Sequence, residues 1–367
     1  MARNTLYINA ENMRHNYNLI KEKVGKDVVI CPVVKANAYG VGLKEVTSVL
    51  NAQIYAVGNV EEAINLKKIN KKTRILIVYP SLIEDIKEIV DNDFMPNVSN
   101  MDFINKLNSY AKTVNKKVKI NLEIDTGMSR FGINPKEAIK YVKKIKELDH
   151  IELEGVSTHY SSVNSLDKDS VNCTKKQTEM FKSTLSEIKK IVGSVKYIHA
   201  ASGSGIFNPE SEIFNMVRPG YILYGYYGCK ELKKVIELKP TLRLATKIIQ
   251  ISEYKKGTSV GYFCTFRSKR KTKIAVVGIG YSEGLFRCLS NKGYLLVNNQ
   301  RAPIIGNICM DVTMIDITDI KGNINVGDEV LVFDNKNITL DEIVELVGTS
   351  GYEFLARLSP KIKKVIE

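Results

Sequence analysis

The chain has 367 residues, 44% of them hydrophobic and 26% charged, which is enough apolar material for a large core and enough length for about two domains. Its 54 lysine and arginine residues outnumber 40 aspartate and glutamate residues, so the formal net charge is +14. Because the lysines are spread over amphipathic helical patterns such as residues 65–72 and 141–147, with no basic arm and no RNA-binding aromatic motif, this charge indicates a lysine-rich surface and disfavours nucleic-acid binding.

Short apolar runs alternate with helical patterns through the first part of the chain. The predicted strands are residues 28–34, 54–58, 74–78, 118–124, 153–157 and 195–199, and the predicted helices include residues 43–50, 61–69, 82–90, 101–114 and 170–192. Such alternation over about 220 residues is typical of a parallel βα barrel or a doubly wound sheet. No Gly-x-Gly-x-x-Gly turn follows the first strand, which disfavours a dinucleotide-binding fold.

The pattern changes after about residue 230. From residue 241 onward the sequence predicts short strands separated by turns, at residues 248–252, 274–280, 294–297, 302–305 and 329–333. This composition predicts a separate β domain.

A single lysine stands at the end of the first predicted strand. Residues 33–42 read VVKANAYGVG, so Lys35 is followed by a tight turn with two glycines and then by a helical segment. In a βα barrel, the carboxyl end of a strand is where active sites are built. A lysine there can act as a nucleophile or a base, although on this local pattern alone a side chain that extends to solvent is the more common outcome.

These residues closely resemble the cofactor-lysine signature of the bacterial alanine racemases, which are fold-type III pyridoxal-phosphate enzymes. The resemblance extends from the first strand to Tyr352. It implies an α/β chain with a (β/α)8 barrel at residues 1–235, whose first residues could instead join the second domain, and a mostly-β domain at residues 236–367. It also implies that pyridoxal 5'-phosphate binds covalently to Lys35 and that the Tyr39 hydroxyl contacts its phosphate.

Residues 121–132, NLEIDTGMSRFG, describe in themselves a strand that ends in a polar turn. They resemble the family's second signature, which implies that Arg130 contacts the ring hydroxyl of the cofactor and borders the substrate. The family usually has a lysine, commonly carbamylated, where this chain has Glu123. We expect the Glu123 carboxylate to supply the same negative charge near Arg130 without modification.

Residues 157–160, STHY, end another strand. A lone histidine is more often structural than catalytic, but the matching histidine of the family stacks against the pyridine ring, and the resemblance gives His159 that role. The polar residues 161–169 depart from the common alanine racemase sequence and are more similar to the branch that includes serine racemases.

Residues 199–205, HAASGSG, form a strand-to-turn segment of small residues. Its backbone N–H groups and hydroxyls suit a phosphate, and a plain turn is an equally common outcome of this pattern. The family has Asn-Ser where this chain has Ser202 and Gly203. Either Ser202 or Ser204 could therefore contact the phosphate.

Residues 214–225, FNMVRPGYILYG, are similar to a diagnostic motif of the family. The resemblance places Arg218 against the pyridine nitrogen and adds the backbone N–H groups of Gly220 and Tyr221 to the phosphate site. Because arginine is effectively always protonated, it disfavours a proton on the pyridine nitrogen and makes the ring a weaker electron sink.

Residues 259–266, SVGYFCTF, lie in the predicted β domain, where a tyrosine is ordinarily a packing residue. The resemblance makes Tyr262 the second catalytic base, which reaches the active site of the partner subunit, so a homodimer is expected. By the same resemblance, Tyr262 acts on the L-amino acid and Lys35 on the D-amino acid.

Other β-domain motifs resemble the substrate side of the family's site. Tyr281 would line the substrate entrance, in a segment where Glu283 replaces the usual aspartate, and Arg287 would support the tyrosine base. Met310 and Asp311 would border the substrate carboxylate. Tyr352 matches a phosphate-facing tyrosine; because the serine racemase branch resembles asparagine there, this residue favours alanine.

The resemblance thus implies interconversion of L- and D-alanine, which would supply D-alanine for peptidoglycan. A serine or serine/alanine racemase is the near alternative. A barrel-type amino-acid decarboxylase and a non-enzymatic pyridoxal-phosphate carrier are more distant alternatives. Carriers resemble the barrel alone, so the β domain with Tyr262 argues against that class.

The six cysteines are widely spaced and form no C-x-x-C pair, so neither a zinc site nor a disulfide framework is indicated. Residues 1–7 are polar without an apolar core, and no apolar run is long enough to span a membrane. We therefore expect a cytoplasmic enzyme without a metal.

Overall fold

The computed structural model describes residues 3–367, with the side chain of Lys230 excepted, and divides into two compact units. The larger unit contains Arg14–Asn37 and Val46–Lys239. The smaller unit contains the described part of Met1–Met13 together with Ala38–Glu45 and Pro240–Glu367. This division falls between residues 239 and 240, and the domain boundary that we predicted after residue 235 stays a prediction.

The larger unit is a barrel of parallel strands. After β1 (Thr5–Ile8) and α1 (Ala10–Val24), its strands in chain order are β2 (Val29–Ile30), β3 (Ile54–Val57), β4 (Arg74–Pro80), β5 (Met95–Val98), β6 (Val118–Glu123), β7 (Ile151–Ser157), β8 (Tyr197–His199) and β9 (Met216–Val217). Strands β3 to β8 form one parallel sheet, and β2 pairs with β9. The parallel bridges Val33–Ala56 and Ser202–Arg218 close the ring, which confirms the predicted eight-stranded barrel.

Helices connect the barrel strands. They are α2 (Lys35–Tyr39), α3 (Leu43–Val49), α4 (Val60–Ile69), α5 (Ile86–Asp91), α6 (Met101–Thr113), α7 (Ala138–Lys146) and α8 (Lys168–Val192). Helix α6 shows why such segments fold: the Asn100 side chain accepts hydrogen bonds from the first-turn N–H groups, and Phe103, Ile104, Leu107 and Ala111 bury one face. A cap of this kind contributes about 1 kcal/mol, and most of the remaining stability comes from burial of the apolar face.

The chain after Lys35 is not the tight turn that we predicted. Ala36, Asn37, Ala38 and Tyr39 have φ angles of 52°, 52°, 53° and 59°, so α2 is one turn of left-handed helix. Left-handed helix costs L-residues roughly 1–2 kcal/mol each. Such strain persists only where surrounding contacts enforce it and is most common at functional sites.

The smaller unit is mostly β. Its strands are β10 (Leu242–Tyr254), β11 (Ser259–Val260), β12 (Phe266–Arg267), β13 (Thr272–Val277), β14 (Tyr294–Val297), β15 (Gln300–Pro303), β16 (Thr313–Asp316), β17 (Glu329–Phe333) and β18 (Lys363–Ile366). The main sheet has the order β15-β14-β17-β10-β1-β18, and β13 joins it between β10 and β16. Strand β1 thus pairs antiparallel with β10 and parallel with β18.

Several elements differ from the sequence-based expectation. The barrel strands β5 and β9 were not predicted, because Pro96 and Asn97 interrupt the apolar run of β5 and β9 has only two residues. Strand β10 spans 13 residues, so residues 248–252 are only its middle. The β unit also contains the helices α9 (Leu340–Val347) and α10 (Gly351–Ala356).

All six cysteines are free thiols. Within residues 3–367, the structure contains no helix that is both long enough and apolar enough to cross a membrane.

Candidate active site

Lys35 lies at the carboxyl end of the first barrel strand, and its side chain is half-buried. Its Nζ donates a hydrogen bond to the Tyr79 hydroxyl at 2.9 Å and lies 5.0 Å from the centroid of the Tyr79 ring. The left-handed turn that follows is held by Glu62, whose carboxylate accepts the N–H of Ala36 at 2.6 Å and that of Gly58 at 2.7 Å. The Glu62 contact thus anchors the first residue of the strained turn, directly after the lysine.

Arg218 follows the last barrel strand and is buried, with 7% of its surface exposed. Its guanidinium donates to Nδ1 of His199, to the carbonyls of Thr158 at 3.1 Å and Ala200 at 3.2 Å, and to Nδ1 of His159 at 3.3 Å. Burial lowers the pKa of Arg218, and the nearby Glu123 carboxylate opposes that shift. The guanidinium is therefore held rigidly inside the barrel end.

A chain of buried polar side chains connects Arg218 to Glu123. His199 accepts from Arg218 at Nδ1, so its Nε2 carries the proton and donates to Oδ1 of Asn121 at 3.0 Å. Asn121 donates to Oδ1 of Asn97 at 2.7 Å, and Asn97 donates to the Glu123 carboxylate. Every donor points from the cation toward the carboxylate, so the two buried charges are joined through three neutral side chains.

The electrostatic field around His159 is strongly positive. Burial lowers the pKa of His159 to about 3, and the cations Arg218, Arg130 and Lys35 add to the shift. Burial, together with Arg218, also holds the pKa of His199 well below its usual range. Both imidazoles are consequently neutral near pH 7, and the three cations suit an anionic ligand.

Glu123 and Arg130 have different partners. Burial raises the pKa of Glu123, while Arg218, the Asn97 hydrogen bond and Arg130 oppose the shift. Arg130 is exposed, and its guanidinium lies 5.0 Å from the centroid of the Phe131 ring. In the described part of the chain Arg130 and Glu123 do not hydrogen-bond each other, so Glu123 acts on Arg130 through its charge alone.

The ends of the seventh and eighth barrel strands lie side by side. Ser202 is bridged to Arg218, and a 3₁₀ helix, Gly203–Ile206, follows it. Gly220 precedes a second 3₁₀ helix, Tyr221–Tyr224. Loops after these two strands form the phosphate site of many βα barrels.

Ser204 carries an unsatisfied donor in this region. Its hydroxyl is buried and has no hydrogen-bond partner within residues 3–367. The Oγ atom faces Gly228, where an added Cβ would lie only 2.0 Å away. A buried hydroxyl without a partner indicates a missing ligand or water oxygen, and the choice between Ser202 and Ser204 stays a prediction.

A second group of predicted site residues lies in the β unit. Tyr262 is 68% exposed at a cleft of about 300 Å³ that Tyr281 and Arg287 also line. The backbone N–H of Tyr281 donates to the carbonyl of Cys309 at 3.1 Å, and that of Ser282 donates to the carbonyl of Met310 at 2.9 Å. The Ser282 hydroxyl donates to Asp311 at 2.9 Å, so the predicted substrate-side segments, which carry Tyr281, Met310 and Asp311, are tied together.

Tyr39 and Tyr352 also lie together in the β unit. Their ring centroids are 6.1 Å apart. Gly40 approaches α10 so closely that a Cβ would lie 2.0 Å from the Leu355 carbonyl oxygen, and its φ is +79°. Only glycine fits there, which places Tyr39 beside the helix that carries Tyr352.

Sequence reasoning missed Tyr79, Glu62, Asn97, Asn121 and the bridging role of His199. A signal was present for two of them, because Asn97 and Asn121 interrupt apolar strands and a buried amide needs partners. Tyr79 follows the apolar run of β4 directly, and in sequence it resembles one more packing residue.

Comparison with known proteins covers nearly the whole chain. The family described as alanine racemase, N-terminal domain, matches residues 8–228, and alanine racemase, C-terminal domain, matches residues 241–366. An alanine racemase from Treponema denticola is 37% identical over 98% of this chain and 96% of its own length.

Solved structures agree with this relationship. An alanine racemase from Clostridium difficile 630 superposes with a TM-score of 0.95 at 30% identity, covering 100% of this chain and 96% of that chain. An alanine racemase from Bartonella henselae, described with covalently bound pyridoxal phosphate, has a TM-score of 0.88 at 26% identity and 100% coverage of both chains.

Proposed function

Because the chain belongs to the alanine racemase family, we propose that the residues described above interconvert L- and D-alanine with pyridoxal phosphate on Lys35. The protein is an amino-acid racemase and thus an isomerase. The observation that carries the proposal is Lys35 at the end of a barrel strand, beside a neutral histidine and a buried arginine, in a site surrounded by cations.

The residues present fit the cofactor. Lys35 offers an amine at the strand end, and Ser204 offers a buried hydroxyl without a partner. Arg130, Arg218 and Lys35 give the positive field that an anionic phosphate and a phenolic ring oxygen require. We propose that Ser202 or Ser204, the N–H groups of Gly220 and Tyr221, and the hydroxyls of Tyr39 and Tyr352 hold the phosphate.

Arg218 would face the pyridine nitrogen. When bound, pyridoxal phosphate supplies the electron-withdrawing ring that stabilises negative charge on the α-carbon. Arg218 donates hydrogen bonds and keeps its own proton, so it leaves the nitrogen unprotonated and limits how far that charge is stabilised. Its bonds to His199, Thr158 and Ala200 hold it in place for this role.

Racemisation needs a proton removed from one face of the α-carbon and another returned on the opposite face. We infer that Lys35 Nζ and the Tyr262 hydroxyl are these two groups, with Tyr262 acting on L-alanine and Lys35 on D-alanine. Each acts as the acid after the other has acted as the base. Tyr281, Met310 and Asp311 would border the substrate, and Arg287 would support Tyr262.

We propose that Tyr262 belongs to the active site of a partner subunit, so that the working form is a homodimer. Its 68% exposure in a single chain supports a contact outside that chain. A cytoplasmic location and the supply of D-alanine for peptidoglycan complete the proposal.

The test of the proposed function is a chiral assay of the purified protein over a panel of L-amino acids. Alanine should be the best substrate, and serine should be slower by roughly 100-fold at most, because a largely apolar pocket rejects one hydroxyl weakly. A preference for serine would overturn the choice of alanine and leave racemisation standing. The absence of racemisation for every amino acid, with the cofactor bound, would overturn the whole proposal.

The Glu123→Gln substitution tests the role of the buried carboxylate. Glutamine can still accept the hydrogen bond from Asn97, so the fold should persist, but the charge opposite Arg218 and Arg130 is lost. We expect racemisation to fall about tenfold, which corresponds to about 1.4 kcal/mol. Added bicarbonate should leave the activity of the unaltered protein unchanged, because Glu123 cannot be carbamylated.

Glu152→Gln is the matched control, since this exposed glutamate lies on the neighbouring strand β7. It should behave as the unaltered protein. Equal activity of the Glu123 and Glu152 variants would show that the buried carboxylate has no part in the reaction.

A further inference from the structure

The amine of Lys35 has a partner to which the family motifs give no role. Tyr79 lies on β4, the third barrel strand, and Lys35 follows the first, so the Tyr79 hydroxyl reaches across the end of β3 to Nζ. Within residues 3–367, Tyr79 is the only hydrogen-bonding partner of that nitrogen, at 2.9 Å. The contact matters because Nζ is the atom to which we assign the proton transfer with D-alanine.

The position of the Tyr79 ring is set by contacts that do not involve Lys35. Gly58 directly follows β3, and a Cβ there would lie 3.2 Å from Cε2 and 3.3 Å from Cδ2 of the ring. The Phe131 ring also packs against the Tyr79 ring, at 5.5 Å between centroids with a tilt of 50°. The Tyr79 N–H also donates to the Gly58 carbonyl at 3.2 Å. The hydroxyl is therefore presented to the lysine by packing.

The chemistry of this partner differs from that of a carboxylate. The nearby Glu62 carboxylate is occupied by the N–H groups of Ala36 and Gly58 and forms no ion pair with Lys35. A carboxylate on the amine would favour the ammonium and oppose its use as a base. A phenol oxygen can accept an N–H from the ammonium and from the neutral amine alike, so it can hold the nitrogen in both protonation states and leave the lone pair of the neutral amine free.

We propose that Tyr79 is a further catalytic residue, whose hydroxyl holds the Lys35 amine while that amine is not bonded to the cofactor, in the position from which it exchanges a proton with D-alanine. The C–H bond at the α-carbon breaks and its electron pair stays on the substrate, while an N–H bond forms at Nζ. Tyr79 accepts an N–H from Nζ before and after the transfer, so the lone pair of the neutral amine stays free to take the proton, and the phenol keeps its own proton. The inference rests on the proposed function, because it needs Lys35 as the base.

Tyr79→Phe removes the hydroxyl and keeps the ring against Gly58 and Phe131. Because the equilibrium between the enantiomers is unchanged, kcat/KM for L-alanine and kcat/KM for D-alanine should fall by the same factor, about tenfold or more. Isotope effects separate the two proton transfers. With α-deuterated D-alanine, the isotope effect should rise, because the Lys35 step becomes more rate-limiting; with α-deuterated L-alanine it should not rise.

A second readout does not depend on turnover. Cofactor-free protein is mixed with pyridoxal phosphate and reduced with borohydride at timed intervals. Mass spectrometry then measures the fraction of the Lys35-containing peptide that carries the cofactor. Tyr79→Phe should slow labelling of Lys35 several-fold or more, because the amine is no longer held. Gly58→Ala, which crowds the Tyr79 ring but leaves its hydroxyl, should slow labelling in the same direction.

Tyr197→Phe is the matched control. Tyr197 is a buried tyrosine of the barrel whose hydroxyl, like that of Tyr79, accepts from a cation, here Arg74 Nη1 at 2.7 Å, but it does not touch Lys35. It should match the unaltered protein in labelling and in both isotope effects. If Tyr79→Phe also matches the unaltered protein in labelling and in both isotope effects, the Tyr79 side chain serves only in packing. The inference is then wrong, and the proposed function stands. If the unaltered protein neither labels at Lys35 nor racemises alanine, the proposed function fails as well.

Discussion

Lys35→Ala is expected to lose covalent cofactor and racemisation together. The substitution removes the amine that would bond to the cofactor and also the group that would act on D-alanine, so turnover should fall by more than about 1,000-fold. Both losses should appear in one preparation. Borohydride should trap no cofactor on the peptide that spans position 35, and a chiral assay should detect no conversion of one alanine enantiomer into the other.

The fold should survive this change, because Lys35 is half-buried and its one hydrogen bond goes to Tyr79. Circular dichroism and the thermal midpoint of unfolding verify that. Lys68→Ala is the control, since this lysine is exposed on α4 and should be silent. Near-normal turnover by Lys35→Ala without an added amine would refute the assignment of Lys35.

The barrel could be predicted because apolar strands and amphipathic helices alternate with a clear period. The strands that the sequence did not predict include those whose pairing is decided by residues distant along the chain. Strand β9 has two residues, Met216–Val217, and is a strand only because β2 and the Ser202 bridge lie beside it. Strand β1 likewise pairs with β10 and β18, which are more than 200 residues away in sequence. No local pattern encodes such partners.

The candidate site divides in the same way. Lys35, Arg130, His159 and Arg218 stand in recognisable motifs, and the structure brings the three cations together around the neutral His159. The contacts of their side chains were not predictable, because hydrogen-bond direction depends on neighbours on other strands. Glu123 illustrates this, since its sequence position suggested a partnership with Arg130 while its hydrogen bond comes from Asn97.

The left-handed turn after Lys35 was not predictable from the sequence for a related reason. Alanine, asparagine and tyrosine prefer right-handed or extended backbone, so the sequence alone gave no reason to expect four consecutive positive φ angles. The carboxylate of Glu62, from another helix, supplies the acceptor for Ala36. Tertiary contacts therefore override the local backbone preference directly after Lys35, where the orientation of the lysine side chain is determined.

Tyr262 is expected to act on the active site of the other subunit, and subunit exchange tests this directly. Its backbone surroundings support a constrained, outward placement, because Gly261, Phe263 and Cys264 have φ angles of 71°, 64° and 51°. Tyr262→Phe alone should lower turnover by roughly 100- to 10,000-fold, as for the loss of a general base. Tyr254→Phe, at another exposed tyrosine of the same unit, should leave turnover unchanged.

Mixing inactive Lys35→Ala chains with Tyr262→Phe chains should then restore activity. In a two-fold dimer, each hybrid would hold one site with both groups intact and one site with neither, so an equal mixture should reach about a quarter of the unaltered activity. If Tyr262 served its own subunit, every site in the hybrid would lack one group, and activity would stay at the parental level.

The reciprocal mixture gives the opposite result and excludes a general effect of exchange. Chains that carry both substitutions are mixed with unaltered chains. If Tyr262 acts across subunits, each hybrid site lacks one group, so forming hybrids destroys activity that the unaltered dimers had. If Tyr262 acts within its own subunit, the unaltered chain in each hybrid keeps a working site and total activity is preserved. Recovery in the first mixture together with loss in the second therefore requires an active site built from two chains.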